Sequence, residues 1–209
     1  MPINEHSYDA ENMGGMILRL SIGSEVDWSP EHLAMSAWIE HLPFAFWLMK
    51  ILRPRMLVEL GTDKGTSYAG FCQAVESLHL DTNCFAVDTW KGDQHAGYYD
   101  ESVFSVVNSL NDQRYKRFSS LMRTTFDEAI THFADGEIDV LHIDGLHTYE
   151  AARNDFEGWK PKLSKSAVVL FHDTNVRQGD FGVWRLWNEL AADYPHFEFL
   201  HGYGLGVLG

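Results

Sequence analysis

The sequence predicts an α/β fold built on a doubly wound, mostly parallel sheet, on three observations. From residue 56 onward, short apolar runs of strand length alternate with amphipathic stretches of helix length. Several of those runs stop at Gly, Asp or a His-Asp pair, the residues found where strands open onto a ligand. The chain closes on two further strand-like runs joined by residues 201–204, which read as a hairpin.

Each element follows in order. Ser29 and Pro30 form an N-cap and N1 pair that predicts a helix through His41; Pro43 restarts it, and residues 44–52 end before Pro54. Residues 56–61 are the first strand. Across 66–78, Tyr68, Phe71, Cys72, Val75 and Leu78 share one helical stripe. Residues 84–88 are a strand, 108–115 carry no firm pattern, 120–124 make a third strand and 126–133 a helix. A buried-type strand spans 139–144, Thr148 caps a helix to Trp159, 167–172 is a fifth strand and 182–192 a helix. Residues 197–200 and 205–208 are the closing pair. Strands and helices in this alternation imply a sheet covered on both faces.

Composition narrows the function. The 209 residues suit one compact unit, read as an N-terminal extension and helical cap over 1–53 and a main domain over 54–209. With 16 Lys+Arg against 30 Asp+Glu the net charge is −14, which argues against nucleic acid and anionic membranes as partners. The apolar run 42–49 is far short of the roughly 18 residues a membrane span needs, and no basic segment followed by an apolar one opens the chain. A soluble, cytoplasmic protein is expected, with Cys72 and Cys84 as core thiols. The end at Gly209, without a polar tail, points to a piece of a longer polypeptide; a homo-oligomer is left open.

Four strand ends carry chemistry. The first reads Glu59-Leu60-Gly61-Thr62-Asp63-Lys64-Gly65, an E-x-G-x-x-x-G turn whose glycines let backbone approach a ligand. Asp88, ending the second strand, is placed to accept from both hydroxyls of an adenosine ribose. Asp144 and the His172-Asp173 pair end adjacent strands and offer donors for a divalent cation: two carboxylates favour Mg²⁺, a ligating imidazole favours Mn²⁺ or another transition ion. His147, three residues past Asp144, is the candidate base. Residues 90–100, with Trp90, Asp93, His95, Tyr98 and Tyr99, offer flat faces and polar groups to a sugar or polyol.

At these residues the chain resembles the class I S-adenosylmethionine-dependent methyltransferases. The block Ile143-Asp144-Gly145-Leu146-His147-Thr148-Tyr149, with Asp155, Trp159 and Phe171-His172-Asp173-Thr174, is similar to a small bacterial group related to sugar and macrolide O-methyltransferases and cephalosporin hydroxylase-like proteins. The resemblance covers about residues 50–209 and implies a Rossmann-like, seven-stranded sheet with a C-terminal antiparallel hairpin. It assigns Glu59, Gly61, Thr62, Gly65, Ser67, Asp88, Thr89 and Asp144 to S-adenosylmethionine. It assigns Asp144, His172 and Asp173 to a Mg²⁺ or Mn²⁺ ion, His147 to deprotonation of a hydroxyl, and a small-molecule or glycan acceptor to the space above. One departure is plain: metal-dependent relatives carry a carboxylate where this chain has His172.

Three other readings stay open. An NAD(P)-dependent oxidoreductase also uses a glycine turn and an acid, although Tyr149 is followed four residues later by Arg153 and not by lysine. A non-haem iron oxygenase would draw on His142, Asp144 and His172. A non-catalytic cofactor-binding module would dock onto a glycosyltransferase system.

Overall fold

The computed structural model describes residues 28–209; what the sequence predicts for residues 1–27 lies outside the described residues. A short 3₁₀ turn, Ala37–His41, is capped by the Ser36 hydroxyl and leads into α1, Leu42–Leu52, which Pro43 opens and Arg53 closes in the left-handed conformation (φ 46°). Then come β1 (Met56–Leu60), α2 (Thr66–Ser77), β2 (Asn83–Asp88), a two-residue ladder of β3 (Gly92–Asp93) and β4 (Gly97–Tyr98), and α3 (Glu101–Leu110). After these come β5 (Ser119–Arg123), α4 (Phe126–Ala129), β6 (Ile138–Ile143), α5 (Tyr149–Trp159), β7 (Leu163–His172), α6 (Val183–Asp193), β8 (His196–Phe199) and β9 (Leu205–Leu208).

The helix expected from Ser29 does not form. The Ser-Pro signal loses to side chains of α2 that take the segment's backbone groups: the Glu31 amide donates to Gln73 Oε1, the Ala34 amide to Thr66 Oγ1, and Gln73 Nε2 donates to the Ser29 carbonyl. With those groups satisfied from outside, the segment lies non-helical across α2. Residues 108–115, left without a pattern, are the end of α3 and a π-helical turn, Asn111–Tyr115; the helix starts earlier than its apolar pattern shows because Asp100 caps it.

Seven strands form one sheet in the order β5-β2-β1-β6-β7-β9-β8. The first five are parallel, and β9 runs antiparallel to both β7 and β8. This is the Rossmann-like sheet with its reversed C-terminal pair. Helices cover both faces, each over its own apolar cluster: Trp38, Leu42, Met49 and Phe71 on one side, Phe156, Trp159, Leu186 and Trp187 on the other. Within residues 37–52, Trp38, Leu42, Ala45, Phe46, Leu48 and Met49 are buried in the first cluster, so this stretch shares the core of the main domain. Cys72 and Cys84 are free and buried. Among the described residues no helix is long and apolar enough to cross a membrane.

Strand order changes direction at β1, which pairs with β2 on one side and β6 on the other. In open parallel sheets, ligands bind beyond the strand ends at such a crossover point.

Candidate active site

A cavity of about 730 Å³ opens over the carboxyl ends of β1, β2, β6 and β7. Gly61, Thr62, Gly65, Ser67, Asp88, Thr89, Asp144, His147, His172 and Asp173 all line it, so the structure gathers at one place residues spread over more than a hundred positions.

The turn after β1 is built on backbone that only glycine tolerates easily. Gly61 has φ +86°, and a Cβ there would collide with the Asp144 carbonyl oxygen. Gly65, at φ +80°, starts α2. Asp88 anchors the turn: its Oδ2 accepts from the amides of Thr62 (2.8 Å) and Asp63 (3.0 Å), and its Oδ1 from the Trp90 amide (2.7 Å). A carboxylate has about four lone-pair sites. Three are occupied, so Asp88 keeps room for one further donor and not for two ribose hydroxyls at once.

Glu59 is not part of the cavity wall. It is fully buried below it, where its Oε2 accepts from His142 Nδ1 at 2.8 Å, and burial pushes its carboxyl up in pKa. The other nitrogen of His142, Nε2, accepts from the Trp38 indole at 3.0 Å. Both ring nitrogens are thereby committed, which removes His142 as a metal ligand and with it the iron-oxygenase reading. Glu59 and His142 are register neighbours across β1 and β6, so the pair is an internal strut beneath the site.

Above that strut two carboxylates and two imidazoles meet. His147 Nε2 lies 2.8 Å from Asp173 Oδ2 and 3.5 Å from Asp144 Oδ1. His172 Nδ1 lies 3.3 Å from Asp144 Oδ1 and 3.2 Å from Asp173 Oδ2, while its Nε2 donates to the Gly202 carbonyl at 3.0 Å. Burial alone would lower both histidines; hydrogen bonds and charge from Asp144 and Asp173 outweigh it and raise each to about 10. Burial would likewise raise the two carboxyls, but the His172 charge and the bonds from both imidazoles hold Asp144 and Asp173 below the usual carboxylate range. His147 as placed is therefore protonated near neutrality, whereas the sequence assigned it the role of base. Asp173 is in the left-handed region, φ +61°, a strain of about 1–3 kcal/mol that the fold holds at this site.

Donor atoms of Asp144, His147 and Asp173 lie within 4.8 Å of one another, a spacing suited to a metal ion. The expected trio was Asp144, His172 and Asp173; the geometry brings His147 to the same two carboxylates as well. His172 fits too, because an imidazole whose outer N–H is fixed on a backbone carbonyl presents its other nitrogen as a ligand.

Residues 90–100 behave only partly as expected. Trp90 turns into the core, with its indole donating to the Asp63 carbonyl, and Tyr98 is 82% exposed outside the cavity. Asp93, His95 and Tyr99 do line it. Sequence reading missed another part of the lining, residues 175–178, Phe181 and Tyr203. Phe181 forms a three-ring cluster with two histidines: its ring is 4.9 Å from His147 at 8° and 4.4 Å from His95 at 24°, and the two imidazoles are 5.5 Å from each other. Asp180 joins the two parts, accepting from His95 Nε2 (2.7 Å) and Gln94 Nε2 (3.0 Å). The one local hint was that residues 175–181 directly follow a loaded strand end.

Residues 58–174, more than half of the chain, match the family described as "Methyltransferase domain". The chain belongs to this methyltransferase family. It is similar to the uncharacterised protein y4gI of Sinorhizobium fredii (strain NBRC 101917 / NGR234), at 54% identity over 173 residues, 83% of this chain and 19% of that protein. An uncharacterised protein of Acanthamoeba polyphaga mimivirus is 29% identical over 142 residues, 65% of this chain and 59% of the other. The chain thus spans about a fifth and about three-fifths of the lengths of these relatives. Among solved structures, the O-methyltransferase TomG of Streptomyces achromogenes, in complex with SAM, superposes with a TM-score of 0.58 at 16% identity, covering 88% of this chain and 83% of that one. At that identity the likeness is one of fold.

Proposed function

We propose that the protein transfers a methyl group from S-adenosylmethionine to a hydroxyl oxygen of a small polyhydroxylated acceptor of sugar or glycan type, with a divalent cation at the Asp144–Asp173 cluster. The observation that carries this is the charge of the cavity. Five aspartates line it, Asp63, Asp88, Asp93, Asp144 and Asp173; the imidazoles of His147 and His172 offset Asp144 and Asp173, and Lys64 and Arg177 are the other cations, so Asp63 and Asp88 keep the turn end of the cavity acidic. A sulfonium donor with an ammonium group suits such a wall; the pyrophosphate of NAD would meet Asp63 and Asp88 at the turn and be repelled.

In this reading the Gly61–Gly65 turn admits the donor's amino-acid part, and Asp88 accepts one ribose hydroxyl while its other bonds keep the turn in place. The donor supplies an electrophilic methyl; the acceptor oxygen forms the new C–O bond as the C–S bond breaks, and the sulfur leaves as a neutral thioether. An aligned nucleophile is the requirement. A cation held by Asp144, Asp173 and His172 would supply Lewis-acid polarisation of the acceptor oxygen. With those carboxylates engaged, His147 loses the two groups that keep it protonated, and its imidazole can take the hydroxyl proton. Asn175, Gln178 and Tyr203, which line the same cavity, offer polar groups to the rest of the acceptor. The free thiols of Cys72 and Cys84 support a reducing, cytoplasmic setting.

Calorimetric titration with S-adenosylmethionine, its demethylated product, NAD and NADP tests the donor, followed by methyl-transfer assays over a panel of hydroxyl acceptors. Binding of the first two alone is expected. Binding of NAD without S-adenosylmethionine overturns the proposal; donor binding without turnover on any acceptor moves the protein to the docking-module reading.

A further inference from the structure

We infer that the cluster is a mixed nitrogen–oxygen metal site, in which His172 Nδ1 joins the Asp144 and Asp173 carboxylates as a ligand and selects a first-row transition ion, of the Mn²⁺, Co²⁺ or Zn²⁺ kind, over Mg²⁺. The inference deepens the proposed function and rests on its placing of a cation between the two carboxylates.

Geometry supports it first. His172 Nδ1 is almost equidistant from Asp144 Oδ1 and Asp173 Oδ2, at 3.3 and 3.2 Å. Two ligands about 2.1 Å from an ion and at right angles lie roughly 3 Å apart, so an ion taking the place of the Nδ1 proton that now bonds the carboxylates would need only a small contraction of these edges. The tautomer is fixed as well. Nε2–H of His172 is committed to the Gly202 carbonyl, leaving Nδ1 as the ring atom that faces the carboxylates. That carbonyl is itself held: His41 Nε2 donates to it at 3.2 Å, and a Cβ on Gly202 would come within 2.7 Å of both His41 Nε2 and the Ala37 carbonyl oxygen. His172 further packs against Trp38 and His41, with ring centroids 6.1 and 5.8 Å away, and is almost wholly buried. Such support of the outer nitrogen is the arrangement that orients a metal-bound imidazole.

Chemistry then decides the ion. Mg²⁺ takes oxygen ligands and keeps several waters, whereas imidazole nitrogen suits later divalent metals. A carboxylate at position 172 would give an oxygen-only trio; His172 replaces one oxygen with nitrogen.

The test uses the chelator-stripped full chain, titrated in parallel with MgCl₂, MnCl₂ and CoCl₂ by calorimetry, with the visible absorption of bound Co²⁺ as a second readout. Wild type should take Co²⁺ and Mn²⁺ well ahead of Mg²⁺. His172→Glu should move the Co²⁺-to-Mg²⁺ affinity ratio toward Mg²⁺ by about 10–100-fold, the scale on which perturbing one ligand's environment acts. An unchanged ratio in that variant, equal Mg²⁺ and Co²⁺ affinity in wild type, or no metal binding overturns the inference. Should the variant fail to fold, pulsed EPR of the Mn²⁺-loaded wild type replaces it: imidazole nitrogen coupling is expected, and an all-oxygen spectrum is the contrary result. S-adenosylmethionine is titrated into the same samples. Lost donor binding with the transition-ion preference intact removes only the methyl-donor reading; intact donor binding with no such preference removes only this inference.

Discussion

The Asp88 carboxylate sits 2.8 Å from the Thr62 amide nitrogen, so the acid at the end of β2 serves as an internal clamp on the turn that follows β1. Asp88→Ala would leave the amides of Thr62, Asp63 and Trp90 without their acceptor. Stability should fall by about 1–3 kcal/mol, together with affinity for S-adenosylmethionine. Thermal melts and calorimetry on one preparation check both; an unchanged melting temperature would show that the clamp carries no weight in the fold.

Gly61 and Gly97 share φ +86°, yet they differ in surroundings. A methyl at Gly61 meets the Asp144 carbonyl, whereas at Gly97 nothing lies within 4 Å. Gly61→Ala should therefore cost roughly 3 kcal/mol or more, combining backbone strain with overpacking, and Gly97→Ala about 1 kcal/mol from strain alone. Urea unfolding of the two variants measures the difference, and equal losses would contradict the contact.

Burial, aided by the neighbouring charge of Asp127, raises Asp155 to about 7. A carboxyl whose folded pKa exceeds its unfolded value of 3.8 stabilises the fold fully below that value. The contribution is then lost as pH climbs through 7. Asp155→Asn removes this dependence, so the variant should gain on wild type steadily from pH 4 to pH 8. Melting temperatures across that range decide it; parallel curves would mean that Asp155 titrates normally.

Asp180 ties residues 94 and 95 to the loop that carries Phe181. Asp180→Ala cuts both bonds while leaving the core untouched. Hydrogen exchange should quicken over residues 92–99 and stay unchanged in β1 and β6. Unaltered exchange in the β3–β4 ladder would show that the ring stack alone holds these walls together.

The strand ends were legible because hydrophobic runs stopping at Gly, Asp or His are local patterns, and a parallel sheet gathers those ends on one edge. That logic puts Gly61, Asp88, Asp144 and Asp173 on one edge, and all four line the cavity. It misplaced Glu59, since the face a strand residue chooses depends on its partner, and here that partner, His142, is completed by Trp38 from 104 positions away. The Ser29 helix failed for a similar reason: a local cap competed with Gln73 and Thr66 on a distant helix. Phe181 was invisible because a bridge to Thr148, a non-local pairing, brings it beside His147.

The close meeting of Gly61 with the Asp144 carbonyl, reinforced by the Asp144 amide donating to the Leu60 carbonyl, works like a dovetail between two halves of one crevice. Neither half can drift without dragging the other. In the proposed reaction, precision in aiming methyl at oxygen would thus be set by main-chain carpentry rather than by the reach of flexible side chains, and mutational tinkering that loosens the joint would disarm both halves together.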